Sequence, residues 1–324
     1  MTDPFAGLPA AVRLQRDFDP GRLRADLDRL TLDRWRHQRT YADDGSSTEY
    51  RADWRVLPLR SQGGDAHRTD AGGPGPAPFR STRWLDEASY LGEILASLPS
   101  GLRAARLMSL APGASVETHR DTPLGPAVGM VRLHVPLITN DGAVLILDGE
   151  KHCWQPGEFW YGDFSRPHSI ANTGTADRVH LVLDTALHPD LFALFPPEFT
   201  DRLSHADVLY ERPERPLNHW EQASFRGDVD VPGPFVRWSG EPLDDTVGGP
   251  DEQRWSILTA DDGLFLTGGP APIGLRHLGA GEFRLQGWTD ERTLHIDRTA
   301  ASVRFTIRTG SSTRTEERPL LPAV

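Results

Sequence analysis

The chain has 324 residues, enough for one large domain or two ordinary ones, with 38% hydrophobic and 25% charged residues, the composition of a soluble globular protein. A net charge of −11 argues against a general nucleic-acid binder, and no apolar run approaches the roughly 18 residues of a membrane span. Cys153 is the single cysteine, which excludes an intramolecular disulfide and argues against a cysteine-built zinc site. The start, Met1-Thr2-Asp3-Pro4, lacks the basic and apolar parts of a signal peptide, so the expected location is the cytoplasm.

Along the chain, a short strand over 12–14 leads through Asp19-Pro20-Gly21 into a helix over about 23–30, with Leu23, Leu27 and Leu30 as its apolar stripe. Residues 54–59 read as a strand and 61–77, rich in Gly, Pro, Ala and Asp, as a loop. A second helix follows over about 86–98, striped by Leu91, Ile94, Leu95 and Leu98. From 103 to 185 the pattern turns to β. The expected strands are 105–110, 130–138, 143–148, 158–161 and 178–184, with turns at Pro112-Gly113, Asn140-Asp141-Gly142, Asp148-Gly149 and Pro156-Gly157. Many short strands at this spacing suggest an antiparallel barrel or sandwich. A bridging stretch of about 191–222 carries Pro196-Pro197 and an Arg- and Pro-rich segment. The remainder, 223–324, again reads as β, with strands expected over 235–238, 255–259, 264–267, 283–286, 293–296 and 303–307.

The tripeptide His119-Arg120-Asp121 carries the most chemistry. Side chains at i and i+2 of an extended segment point the same way, so His119 and Asp121 can converge on one ion. A second histidine, His168, follows 49 residues later, room for a hairpin excursion and return. Two histidines and a carboxylate are what a mononuclear ferrous site needs, leaving the opposite face open for a co-substrate and dioxygen. With 12 histidines and 46 acids such a tripeptide also arises by chance, so the surroundings must decide. In 130–136, Arg132 and His134 share one strand face. In 178–184, Arg178, His180 and Asp184 share another, with Val182 among them. An ordinary sandwich would expose such faces to water, whereas a barrel around a polar pocket predicts the same pattern. Dioxygen activation also needs electrons. 2-Oxoglutarate supplies them and leaves a distal carboxylate deep in the pocket, where a guanidinium pairs with it through two hydrogen bonds. Arg178 is placed for that task.

Residues 105–190 resemble the aspartyl/asparaginyl β-hydroxylase family of iron(II)- and 2-oxoglutarate-dependent dioxygenases. The matching text is Leu110-Ala111-Pro112-Gly113, His119-Arg120-Asp121, Val131-Arg132-Leu133-His134-Val135-Pro136-Leu137, Gly149-Glu150 and Pro156-Gly157-Glu158-Phe159-Trp160. It continues with Asp163, Pro167-His168, Asn172, and Asp177 through Asp184. The front of the chain, with Trp54-Arg55-Val56-Leu57-Pro58-Leu59, is more loosely similar to the free-proline hydroxylases of that family. The resemblance does not extend to residues 223–324. The resemblance implies a mainly β fold, a double-stranded β-helix (jelly-roll, cupin-like) core with flanking N-terminal helices. The smaller β-rich C-terminal domain lies outside it. Residues 1–190 are then the dioxygenase domain, 191–222 a bridge and 223–324 a domain of unknown role. The implied iron ligands are His119, Asp121 and His168, the 2-oxoglutarate arginine is Arg178, and Arg132 and His134 lie near the co-substrate and substrate carboxylates.

The expected reaction is hydroxylation of an aliphatic C–H of an amino acid, free or bound in a peptide or to a carrier, with Fe(II), 2-oxoglutarate and O2. Arg132, joined by Arg106, would hold a substrate carboxylate. His180, Asp184, Phe159 and Trp160 read as structural residues. Two other classes fit a cupin-like barrel: a non-catalytic metal-binding or sensor module, and another metal-dependent enzyme such as an isomerase. Neither needs a deep arginine for a dicarboxylate. The terminal β region is left with three uses, recognition of a larger substrate, of a partner, or of a second copy in a homodimer.

Overall fold

The computed structural model describes residues 5, 7–41, 47–49, 52–99, 101–236, 253–260 and 263–323. Its first strands are β1 (Ala11–Asp17), β2 (Arg36–His37), β3 (Arg39–Tyr41), β4 (Ser47–Glu49), β5 (Trp54–Gln62), β6 (Phe79–Ser81) and β7 (Leu102–Leu110). They continue with β8 (Ser115–His119), β9 (Met130–Ile138), β10 (Ala143–Leu147), β11 (Glu150–His152), β12 (Glu158–Gly162), β13 (His168–Asn172) and β14 (Arg178–Ala186). Two antiparallel sheets form. The larger runs β1-β12-β9-β14-β7-β5-β2, with β6 beside β5, and the smaller runs β11-β10-β13-β8. This is the double-stranded β-helix, or jelly roll.

Strand alternation gives the larger sheet two different faces. The outer one carries Leu57, Leu107, Leu133, Leu181 and Leu183, in one core with helices α1 (Pro20–Arg29) and α2 (Ser89–Ser97) through Leu23, Leu27, Leu91 and Ile94. Helix α1 starts where the sequence signals it. Asp19 caps the amides of Gly21 and Arg22, and Pro20 occupies the first turn, where its missing N–H costs nothing. Buried Asp26 of α1 accepts the Leu91 amide of α2 at 2.8 Å, which locks the two helices together. The inner face carries Arg106, Met108, Arg132, His134, Arg178, His180, Val182 and Asp184 and is covered by the smaller sheet. Every residue of β14 is buried, so this polar face is an enclosed pocket wall and not the solvated face of a sandwich. Asp148 and Gly149, at φ 52 and 83, make the two-residue turn between β10 and β11, in which Leu147 pairs with Glu150.

After β14 the chain runs through α3 (Pro189–Phe192), α4 (Pro197–Thr200) and α5 (His219–Ala223) into a second β unit. Its elements are β15 (Gly227–Val231), α6 (Gly233–Val236), β16 (Gln253–Ala260), β17 (Gly263–Thr267), β18 (Ile273–Gly279), β19 (Glu282–Leu285), β20 (Arg292–Asp297), β21 (Ser302–Thr309) and β22 (Ser312–Pro319). These strands pair in chain order, and Asp228 and Leu321 exchange both backbone hydrogen bonds (2.9 and 2.8 Å) in a single bridge, so the meander curls into a nearly closed barrel. Trp255, Ile257, Leu266, Phe283, Leu294 and Phe305 fill it. The strand expected over 235–238 is a correction. Residues 233–236 are helix α6, nucleated by the Phe235 amide bonding to the Pro232 carbonyl (2.9 Å), and 237–238 lie outside the described residues. Pro234 has no amide to give a ladder but suits a first helical turn. No helix among the described residues is long and apolar enough to cross a membrane.

Candidate metal centre and active site

His119 ends β8 and His168 opens β13, directly opposite each other in the antiparallel register. Their rings lie 4.2 Å apart between centroids. Asp121 lies two residues past the end of β8, so the strand itself does not set its position. Its amide bonds to the Phe164 carbonyl at 2.9 Å, which holds the segment in place. One donor atom from each of the three residues lies within 4.8 Å of the others. The His119 Nδ1 bonds to the Glu117 carbonyl (2.9 Å) and the His168 Nδ1 to the Arg166 carbonyl (3.0 Å). Both rings are thereby oriented with Nε2 free to ligate, the backing that metal-bound histidines usually have. Two imidazole nitrogens and one carboxylate oxygen suit a first-row divalent ion such as Fe(II), so the residues present fit that metal.

Arg132, on β9, contacts Asp121 and donates through Nε to Asp184 Oδ1 at 2.6 Å. Arg106, on β7, donates to Asp184 Oδ2 at 2.9 Å and to the Thr69 carbonyl at 3.3 Å. Asp184 thus joins the two arginines expected on the substrate side. Arg106 is deeply buried, with Nε unpartnered, and Arg132 is the more accessible of the two.

Arg178 opens β14, six residues before Asp184. Its guanidinium is buried, and among the described residues no carboxylate pairs with it; its one side-chain partner is His180 Nδ1 at 3.1 Å. Burial pushes the group well below its ordinary pKa. A guanidinium can only donate, so His180 Nδ1 accepts and its proton sits on Nε2. His134 Nδ1 lies 3.4 Å from the same His180 nitrogen, whose single lone pair faces Arg178, and His134 Nε2 is buried without a partner among the described residues. Both imidazoles are held neutral, well below the usual histidine range, first by burial and then by the Arg178 charge. A small cavity lined by Thr139, Leu145, His152, Trp154, Arg178 and His180 opens at this point. The ring of His134 packs on Phe164 (4.9 Å), which packs on His168 (5.0 Å), so a row of aromatic contacts runs from the His134–His180 pair to the metal cluster. Trp154, which lines the cavity, stacks on Trp160 at 5.2 Å.

All seven residues expected at the site therefore lie on facing strands or their ends. Asp184 and His180 were read as structural but are central to its charge network. Their place on the Arg178 face was the available signal. Thr69, in the Gly-rich loop, gave no signal at all.

A jelly roll that presents two histidines and a carboxylate is a cupin-like metalloprotein scaffold. The profile of the aspartyl/asparaginyl beta-hydroxylase family matches residues 19–189, and the chain belongs to this family. An L-proline cis-4-hydroxylase from Rhizobium meliloti (strain 1021) is 28% identical over 169 residues, 52% of this chain and 57% of that one. The chain thus spans little more than half the length of that curated relative. Among solved structures, a 2OG-Fe(II) oxygenase family oxidoreductase from Burkholderia pseudomallei is 13% identical, covering 55% of this chain and 85% of that one, with a TM-score of 0.36. A prolyl hydroxylase from Trichoplax adhaerens, in complex with a hypoxia inducible factor peptide, is 14% identical, covering 55% and 83%, with a TM-score of 0.37.

Proposed function

We propose that this protein is an Fe(II)- and 2-oxoglutarate-dependent dioxygenase that hydroxylates an aliphatic C–H of an amino acid, free or within a peptide or carrier-bound intermediate. The observation that carries the reading is the buried Arg178 guanidinium, without a carboxylate partner among the described residues, in a jelly roll that also gathers two histidines and a carboxylate. An unpaired buried charge is costly, so such a site calls for an anion.

His119, Asp121 and His168 would hold the iron. When bound, iron with 2-oxoglutarate and dioxygen supplies an oxidant able to break an unactivated C–H bond, and the co-substrate leaves as succinate and CO2. The chain's own residues bind and orient. Arg178 takes the distal carboxylate of 2-oxoglutarate through two hydrogen bonds. Neutral His180 holds the guanidinium plane, and Trp154 and Trp160 exclude water. Arg106 and Arg132 share Asp184 and so carry one excess positive charge, which Asp121 balances only while it faces Arg132. Once Asp121 serves a metal, that excess suits a carboxylate or acidic side chain of the substrate. The alternative of a metal-binding module without turnover gives Arg178 no role.

The test is incubation with ferrous iron, 2-oxoglutarate and a panel of amino acids and peptides, L-proline first because of the relative's activity. Succinate and a product heavier by one oxygen are expected, and His168→Ala should lose both iron binding and turnover. Full activity in that variant, or no succinate under any condition, would sink the reading.

A further inference from the structure

The barrel β15–β22 reaches back to the jelly roll at two loops, and both border the candidate active site. The first, residues 63–78, joins β5 to β6. Its Gly75 donates to the Gln286 carbonyl (3.1 Å) and accepts from the Gly274 amide (3.0 Å), so it is paired from both sides with barrel backbone. Gly287 faces the same loop. At φ +85 it sits where a side chain is strained, and a Cβ there would lie 2.5 Å from the Gly73 carbonyl oxygen. Six residues before Gly75, the Thr69 carbonyl accepts the hydrogen bond of Arg106. The second loop follows Asp121 directly. Its Val128 carbonyl accepts from the Thr289 hydroxyl (2.6 Å) and its Ala127 carbonyl from the Gly310 amide (2.7 Å). Arg103, on the strand that carries Arg106, also donates to the Trp288 carbonyl at 3.0 Å.

We propose that the C-terminal barrel is a positioning module for the substrate side of the active site, holding the 63–78 loop so that Thr69 fixes Arg106 and, through Asp184, Arg132. This rests on the reading above that the two arginines face the substrate. Among the described residues no hydrogen bond or ion pair joins the barrel to either arginine. Its effect passes through Thr69, which is a positioning residue. The Arg178 end of the pocket has no such link among the described residues, so the barrel should govern the substrate and leave 2-oxoglutarate alone.

The experiment uses the full-length protein with Gly287→Val, which pushes the Gly73 carbonyl away from the barrel side. A second variant, Gly75→Pro, removes the loop's donor and leaves the barrel sequence intact. In both, amide deuterium exchange over 63–78 should speed up tenfold or more, with β9 and β14 unchanged. The KM for L-proline, or for whichever panel amino acid supports most succinate formation, should rise at least tenfold. The KM for 2-oxoglutarate and substrate-independent succinate formation should stay within twofold. Unchanged loop exchange in both variants, or both KM values rising together, overturns the proposal. Absence of succinate from the wild-type protein defeats the functional reading instead, and loop exchange then decides this proposal by itself.

Discussion

At the residue scale the proposed co-substrate site rests on Arg178 and His180. A guanidinium shows a planar fork of donors, which an ammonium cannot copy. Arg178→Lys should therefore raise the 2-oxoglutarate KM tenfold or more while iron binding stays within twofold, measured by succinate formation and by iron titration. An unchanged KM would mean that another residue anchors the co-substrate. His180 is buried and neutral, and burial holds its pKa well below the usual value. The unfolded chain binds this proton at ordinary histidine pH, so the stability tied to neutral His180 is full above about pH 6.5 and lost as pH falls below it. The urea midpoint should drop between pH 7 and 5, and His180→Gln should flatten that slope. An identical slope in the variant would show that other groups cause it.

At the scale of elements, Asn172 couples the two sheets that must face each other for the site to exist. It ends β13, on the His168 strand, and is fully buried. Its Nδ2 donates to the Leu110 carbonyl of β7 (2.9 Å) and to Ala176 (2.8 Å), while its backbone bonds to Ala114 and Gly113. The Asn172 Oδ1 also accepts from Asn140 and the Gly174 amide, so Asn172→Ala removes four side-chain hydrogen bonds, the wholly buried one to Leu110 among them, a loss of about 2 kcal/mol. The denaturant midpoint should fall with the m-value unchanged. A loss under about 0.5 kcal/mol would mean that water replaces the side chain without cost.

Across the whole molecule, a charged clamp fastens the bridging segment to the barrel. Arg212 pairs through two nitrogens with Glu282 (2.7 and 2.9 Å) and also contacts Asp290, which pairs with buried Arg284 (2.9 Å). Arg284 in turn reaches Glu211 and Glu214 of the bridge. Glu282 is pulled down to about 2, first by its Arg212 hydrogen bonds and then by Thr293. Its depressed value means that its stabilisation is present above the ordinary glutamate range and is lost as pH falls from there through about 2. Glu282→Gln should be less stable than wild type at neutral pH, and the gap should close on acidification through that window. A gap that persists at pH 1.5 would point to lost packing. The clamp also bears on a chain ending near residue 222, which would leave Arg212 and Arg103 without their barrel partners.

Local pattern was enough for much of this protein. Alternating apolar residues mark β9 and β14 because each buries one wholly apolar face. Asp19-Pro20 marks α1 because cap and proline chemistry is local. The proposed ligands His119, Asp121 and His168 and the proposed co-substrate arginine Arg178 are legible because residue type and spacing carry their chemistry. β22 (Ser312–Pro319) was not legible. It is largely polar and exposed, and only its pairing with β21 makes it a strand. The burial of the Arg178 face was likewise undecided, because the same alternation suits a solvated sheet and a pocket wall. Only the smaller sheet closing over it settles that. The sharing of Asp184 by Arg106 and Arg132, and the reach of the barrel to Gly75, join residues some 50 to 210 positions apart in the chain. Such contacts leave no periodic mark in a sequence, because they depend on which strands become neighbours once the chain has folded.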